Sequence, residues 1–128
     1  MQGELSILAL YGLFIVVVFL VHIVSAMGQL GLPYLVSARD ETRTLKGIPG
    51  RISRSLDNSL VGMALFAPAV LLLAHKDAFT GSTILAAQVF LICRVLYVIV
   101  YAAGTPYLRT LLWTVGFLMT AWLYLMAL

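Results

Sequence analysis

The stretch CRVLYVIVYAAGTPYLRT, residues 93–110, decides the fold. It holds the end of one apolar run and the start of another, separated only by the AGTP at 103–106. A link that short makes the two runs antiparallel neighbours. The first run extends from about Thr83 to Ala103 and the second from about Tyr107 to Leu128. Each is about 20 residues long, the length a helix needs to cross the hydrocarbon core of a bilayer.

Toward the N-terminus two more runs follow the same rule. One covers Leu5 to Met27 and is interrupted within by Gly12, His22 and Ser25. It has no Lys or Arg before it and exceeds the apolar core of about 7–15 residues found in signal peptides, so it is expected to be a first membrane span. The other, Leu60 to Ala74, is short and contains Pro68. A helix starting near Pro49, where a missing N–H costs nothing, extends it by about two turns. Those turns carry Arg51, Arg54, Asp57 and Asn58. The expected architecture is all-α: one integral membrane four-helix domain over residues 1–128, with spans at about 5–27, 49–75, 83–103 and 107–128.

Composition points the same way. Apolar residues make up 62% of the chain and charged residues 10%, against about 25% charged in a soluble domain. The net charge of +3 lies mostly in the first loop and the start of the second long helix, at Arg39, Arg43, Lys46, Arg51 and Arg54. Such a cluster beside membrane spans places the loop on the cytoplasmic side and gives no reason to expect nucleic acid. Lys76 is the basic residue of the opposite side. Both termini are then expected on the far side, with AGTP facing the cytoplasm. Cys93 is the only cysteine, which excludes an internal disulfide and CxxC chemistry and leaves a small buried filler as its default role.

Arg94 raises the functional question. It stands about halfway along its span, where a charge costs roughly 2.5–3.5 kcal/mol even on the lenient insertion scale. Such a residue faces a bundle interior or a polar cavity. At about 100° per residue, Arg94, Tyr97 and Tyr101 share an arc of roughly 60°. Arg51, Arg54, Asn58 and Val61 lie within about 80° of one another, and Arg109, Trp113, Gly116 and Thr120 also share a face. Three helices thus present polar stripes rich in arginine, with Asp57 the one carboxylate nearby. Arginine's planar fork suits carboxylates and phosphates, so an anionic, peptide-like ligand fits such a set.

Blander readings stand beside that one. Arg109 can snorkel to the interface, Arg51 and Arg54 can be solvated topology determinants, and Arg94 can belong to a structural polar network. Tyr97, Tyr101 and Tyr107 can be interfacial belt aromatics, which suits Tyr107 best. His22 is expected to be a satisfied helix–helix contact and not a ligand. No metal is expected, for want of an HxxxH pair or a carboxylate cluster. No Ser-His-Asp set, glycine-rich phosphate loop or paired carboxylates can be assembled, which argues against hydrolysis and nucleotide chemistry. A pocket of arginine and tyrosine can still activate a bound thiol, because positive charge beside sulfur favours the nucleophilic thiolate.

Two segments carry a resemblance to a known family. GRISRSLDNSLVGMALF, residues 50–66, and RVLYVIVYAAGTPYLR, residues 94–109, resemble the second- and third-helix patterns of the MAPEG family, the membrane-associated proteins in eicosanoid and glutathione metabolism, particularly its bacterial branch. The resemblance implies a four-helix protomer assembling as a homotrimer in a bacterial inner membrane. Glutathione, the cosubstrate, would bind between subunits near the cytoplasmic face. By position, Arg51, Arg54, Asn58, Arg94, Tyr97 and Tyr101 would hold the tripeptide and Arg109 would act at the thiol. The implied activity is that of a transferase or peroxidase on lipophilic electrophiles arriving through the membrane lipid. The alternative is a non-catalytic trimer binding lipid head groups or another anion.

Departures from the pattern bear on that choice. Val61 stands where the family pattern has Glu, removing the carboxylate expected to meet the tripeptide's cationic amine. Asp57 is four residues away, turned by about 40° on the helix. Gly31 and Pro33 replace the arginines that eicosanoid-forming members carry after the first span, which argues against a leukotriene or prostaglandin activity.

Overall fold

The computed structural model describes residues 3–37 and 44–128. Arg39 and Arg43, two of the basic residues expected to orient the first loop, lie outside the described residues. The described elements are α1 (Gly3–Leu30), the short α2 (Leu32–Leu35), α3 (Gly47–His75), α4 (Gly81–Ala103) and α5 (Pro106–Ala127). The four long helices are each long and apolar enough to cross a membrane. In lipid every backbone group must be satisfied within its own helix, which is why chains this apolar take the form of a bundle.

The helices differ from the sequence expectation mainly at their ends. α3 begins at Gly47, two residues before Pro49, because a proline is tolerated anywhere in a first turn whose N–H groups lack partners. α2 is a single turn within what the sequence presents as a breaker-rich link. Its start at Leu32-Pro33 follows from the same tolerance.

α3 and α4 form the middle of the bundle. α1 packs against both on one side and α5 packs against both on the other. The centre is an aromatic cluster: Phe66 and Phe90 stack with ring centroids 4.0 Å apart, and Tyr11 meets Phe90 edge-on at 5.1 Å. Tyr11 is fully buried and donates from its hydroxyl to Ser59 O at 2.9 Å. That bond satisfies the phenol's donor, as a buried tyrosine requires. Pro68 removes from α3 the N–H that would bond to Ala64 O, and at the next carbonyl Tyr124 of α5 donates to Leu65 O at 2.6 Å.

The two ends of the bundle are fastened differently. At the start of α4, Thr80 and Thr83 cap each other, and the Thr83 hydroxyl also donates to the buried Glu4 carboxylate at 2.6 Å. At the other end α4 stops at Gly104, which takes φ 80°, ψ 30°, and α5 starts with Pro106 in its first turn. A left-handed residue followed by a fixed φ makes the reversal possible in so few residues. Arg51 of α3 donates to Ala102 O at 2.8 Å, neutralising the carbonyl end of α4. A Cβ on Gly104 would stand 3.2 Å from that guanidinium as well as straining φ. Gly104→Ala is therefore expected to cost about 1 kcal/mol, seen as a lower melting temperature in detergent.

Candidate functional site

Three helices deliver their polar residues to one region. Asn58 comes from α3, at the end of the polar turns that precede the apolar part of the helix. Arg94, Tyr97 and Tyr101 come from α4 at spacings of three and four, which keeps them on one face. Arg109 and Trp113 come from the first turns of α5, brought alongside by the tight turn at Gly104.

Arg94 is only 3% exposed. Its Nη2 donates to Asn58 Oδ1 at 2.8 Å, and its guanidinium carbon lies 4.6 Å from the centre of the Tyr97 ring. Its Nε is buried without a hydrogen-bond partner. Glycines make the slot: a Cβ at Gly62 would come within 3.3 Å of Arg94 Nη2, and one at Gly116 within 3.4 Å of Arg94 Cδ. No described carboxylate forms an ion pair with this guanidinium. Glu4 is held on Thr83, and Asp77 follows the far end of α3.

Arg109 places its guanidinium 4.5 Å from the centre of the Tyr101 ring. Tyr101 in turn meets Tyr97 edge-on at 5.6 Å. The two arginines therefore cover neighbouring rings of one aromatic pair. Arg54 approaches the same Tyr101 ring more loosely, at 6.0 Å.

Two cavities adjoin along this constellation. One of 90 Å³ is lined by Arg94, Asn58, Val61, Gly62 and Gly116, among others. The other, of 210 Å³, is lined by Asn58, Tyr97, Arg109, Thr110 and Trp113. Asn58 and Trp113 line both, so the cavities share a wall with an arginine on either side. A larger cleft of 710 Å³ opens between α1, α2 and the start of α3; it is mainly apolar, with His22, Ser53 and Arg54 in its wall.

The structure thus brings Asn58, Arg94, Tyr97, Tyr101 and Arg109 together. Arg54 reaches their edge from the side of the larger cleft. Arg51 is engaged with the last turn of α4 and lines none of these three cavities. Asp57 is exposed, forms no ion pair among the described residues and lines neither of the two smaller cavities. His22 differs from expectation: its Nδ1 is buried without a hydrogen-bond partner, and its ring contact is with Phe19, one turn back on its own helix. Thr110 and Gly62 went unnoticed in the sequence. For Gly62 the signal was there, four residues after Asn58 and hence above it on one face.

Fold and site together define a class: an integral membrane helical bundle with a buried arginine, a half-buried one and two tyrosines gathered between its helices. The chain belongs to the MAPEG family, whose model matches residues 6–128. Neither curated proteins nor solved structures give a significant match.

Proposed function

We propose that the protein binds glutathione or a similar anionic thiol at this site and uses it as a transferase or peroxidase toward lipophilic electrophiles. One observation carries the reading: Arg94 is buried and charged, bonds to the Asn58 amide, and has no carboxylate to pair with among the described residues. An unpaired guanidinium in a low-dielectric interior is costly, and a bound anion supplies the missing counter-charge. Membership in the MAPEG family supports thiol chemistry over other uses of the same charge.

In this reading Arg54, Asn58, Arg94, Tyr97 and Tyr101 hold the ligand, with Arg51 at the rim fixing the end of α4. Arg109 stands beside the sulfur. Its positive charge favours loss of the thiol proton to water and so raises the thiolate fraction. In conjugation the sulfur lone pair forms the new C–S bond while the electrophile's leaving group, or the oxygen of an opened ring, takes the departing electron pair. Lipid-facing helices let the apolar cosubstrate reach the cavities from the bilayer. The working form is a homotrimer in a bacterial inner membrane with the first loop cytoplasmic, as the basic residues near the start of α3 favour.

The test is a glutathione titration of the purified protein, following the ultraviolet absorbance of the thiolate. Saturable binding with a thiolate band is expected. Arg109→Ala should reduce the thiolate fraction at neutral pH by about tenfold, the effect of one lost charge contact on a thiol pKa. No saturable binding at millimolar glutathione removes the reading. It would leave the non-catalytic one, an anion or head-group binder, which the apolar residue at position 61 favours.

A further inference from the structure

The first turns of α3 carry Arg51 and Arg54, yet the helix is poorly fastened by its own sequence. Its N-cap is Lys46, whose side chain forms no capping hydrogen bond. A lysine side chain has no acceptor to offer the first-turn N–H groups. By contrast α4 is capped at its start by Thr80 and Thr83. A helix begun as α3 is takes its starting point from contacts outside itself.

Gln29, in the last turn of α1, supplies them. Its Oε1 accepts from Lys46 N at 2.7 Å, and its Nε2 donates to Lys46 O at 3.0 Å. One planar amide thus engages both backbone groups of a single residue, which fixes direction as well as distance. The contacts continue from there. The backbone before Lys46 lies so close over the first turn of α3 that a Cβ on Gly50 would stand 2.8 Å from Leu45 O. Beside Gly50, Arg51 reaches across to Ala102 O at 2.8 Å, and a Cβ on Gly104 would stand 3.2 Å from its Nη1. Gly104 and Thr105 both donate to Val100 O, closing the turn from which α5 and Arg109 set out. Among the described residues α1 packs against α3 and α4 but not against α5. This strut gives Gln29 a hold on a helix it does not touch.

We propose that Gln29 is a positioning residue for Arg109. By clamping Lys46 it sets the first turn of α3, and through Arg51 it sets the turn between α4 and α5. The effect on a bound thiol rests on the thiol-binding function proposed above; the coupling between the two ends of the strut does not.

The experiment is residue-resolved amide hydrogen exchange on the full-length protein in lipid nanodiscs. Gln29→Leu keeps much of the bulk and removes both hydrogen bonds. It is expected to speed exchange about fivefold at Lys46 and about twofold at Gly104 and Thr105, on elements Gln29 does not contact. Gln29→Glu keeps the acceptor, loses the donor and should fall between. In an Arg51→Met background Gln29→Leu should still act at Lys46 but add nothing at the turn. Unchanged exchange at Gly104 and Thr105, or the same increment there without Arg51, overturns the proposal. With glutathione bound, Gln29→Leu is expected to lower the thiolate fraction at neutral pH about twofold, with partial recovery in Gln29→Glu. A loosened turn with the thiolate unmoved also overturns it, since Arg109 would then keep its place without the clamp. Failure of the parent protein to bind glutathione at millimolar concentration is a separate result: it removes the thiol-binding function, and the exchange measurements still decide the strut.

Discussion

Arg94→Met is expected to leave the bundle standing while lowering glutathione affinity by about a hundredfold, the cost of taking one partner from a buried charged contact. The two readouts part company because Arg94 plays opposite roles in them. For the empty fold it is a burden: placing its charge at mid-bilayer costs roughly 2.5–3.5 kcal/mol. Its hydrogen bond to Asn58 returns roughly 1.5–3 kcal/mol, as bonds to charged groups do. Its seat on the Tyr97 ring adds about 1–2 kcal/mol. These nearly cancel, so an unbranched apolar side chain of similar length should change the melting temperature little. For a bound anion no such cancellation exists. Circular dichroism melts and calorimetric titration on the same preparation separate the two. A variant that unfolds would make Arg94 a strut of the bundle, and the counter-charge argument for a ligand would fall with it.

The sequence made the bundle readable because each cause of the fold is local. Apolar length gives the spans, and a four-residue AGTP allows only an antiparallel pair. The stripes Arg94–Tyr97–Tyr101 and Arg109–Trp113 follow from helical spacing alone. How the stripes meet depends on distances between helices, and helical spacing does not contain them. Arg51 and Arg54 lie one turn apart on α3, yet the first is tied to Ala102 while the second reaches toward Tyr101. That divergence arises from where α4 ends. The close approach at Gly62 and Gly116 was equally hidden, since a glycine in an apolar run marks a packing contact without naming its partner. His22 shows the reverse error: an interior histidine was expected to find a partner, and the cleft beside it leaves Nδ1 without one.

The proposed thiol-binding site and the bundle's stability converge on one backbone position, so Gly62→Leu is expected to cost about 3 kcal/mol or more, combining overpacking with the loss of neighbouring hydrogen bonds. A Cβ at this position of α3 would lie 2.9 Å from the Tyr11 hydroxyl of α1 and 3.3 Å from Arg94 Nη2 of α4. Neither neighbour can withdraw cheaply. The Tyr11 ring is wedged against Phe90 and Phe66 with its hydroxyl on Ser59 O. Arg94 is confined from the other side by Gly116. A leucine has to open both helix contacts, in a membrane where close packing itself supplies much of the cohesion. Loss of the monodisperse peak in size-exclusion chromatography and a collapsed melting transition are the expected readouts. Gly62→Ala provides the finer test, because its single methyl group meets the Tyr11 oxygen before anything else. In the parent protein Tyr11→Phe should cost about 1 kcal/mol by removing the hydrogen bond that ties α1 to Ser59 O. In the Gly62→Ala background the same change should instead recover stability, because it removes the atom that the methyl group strikes. Equal costs in both backgrounds would mean that α1 and α3 do not meet at this glycine, and that the slot holding Arg94 has a different wall.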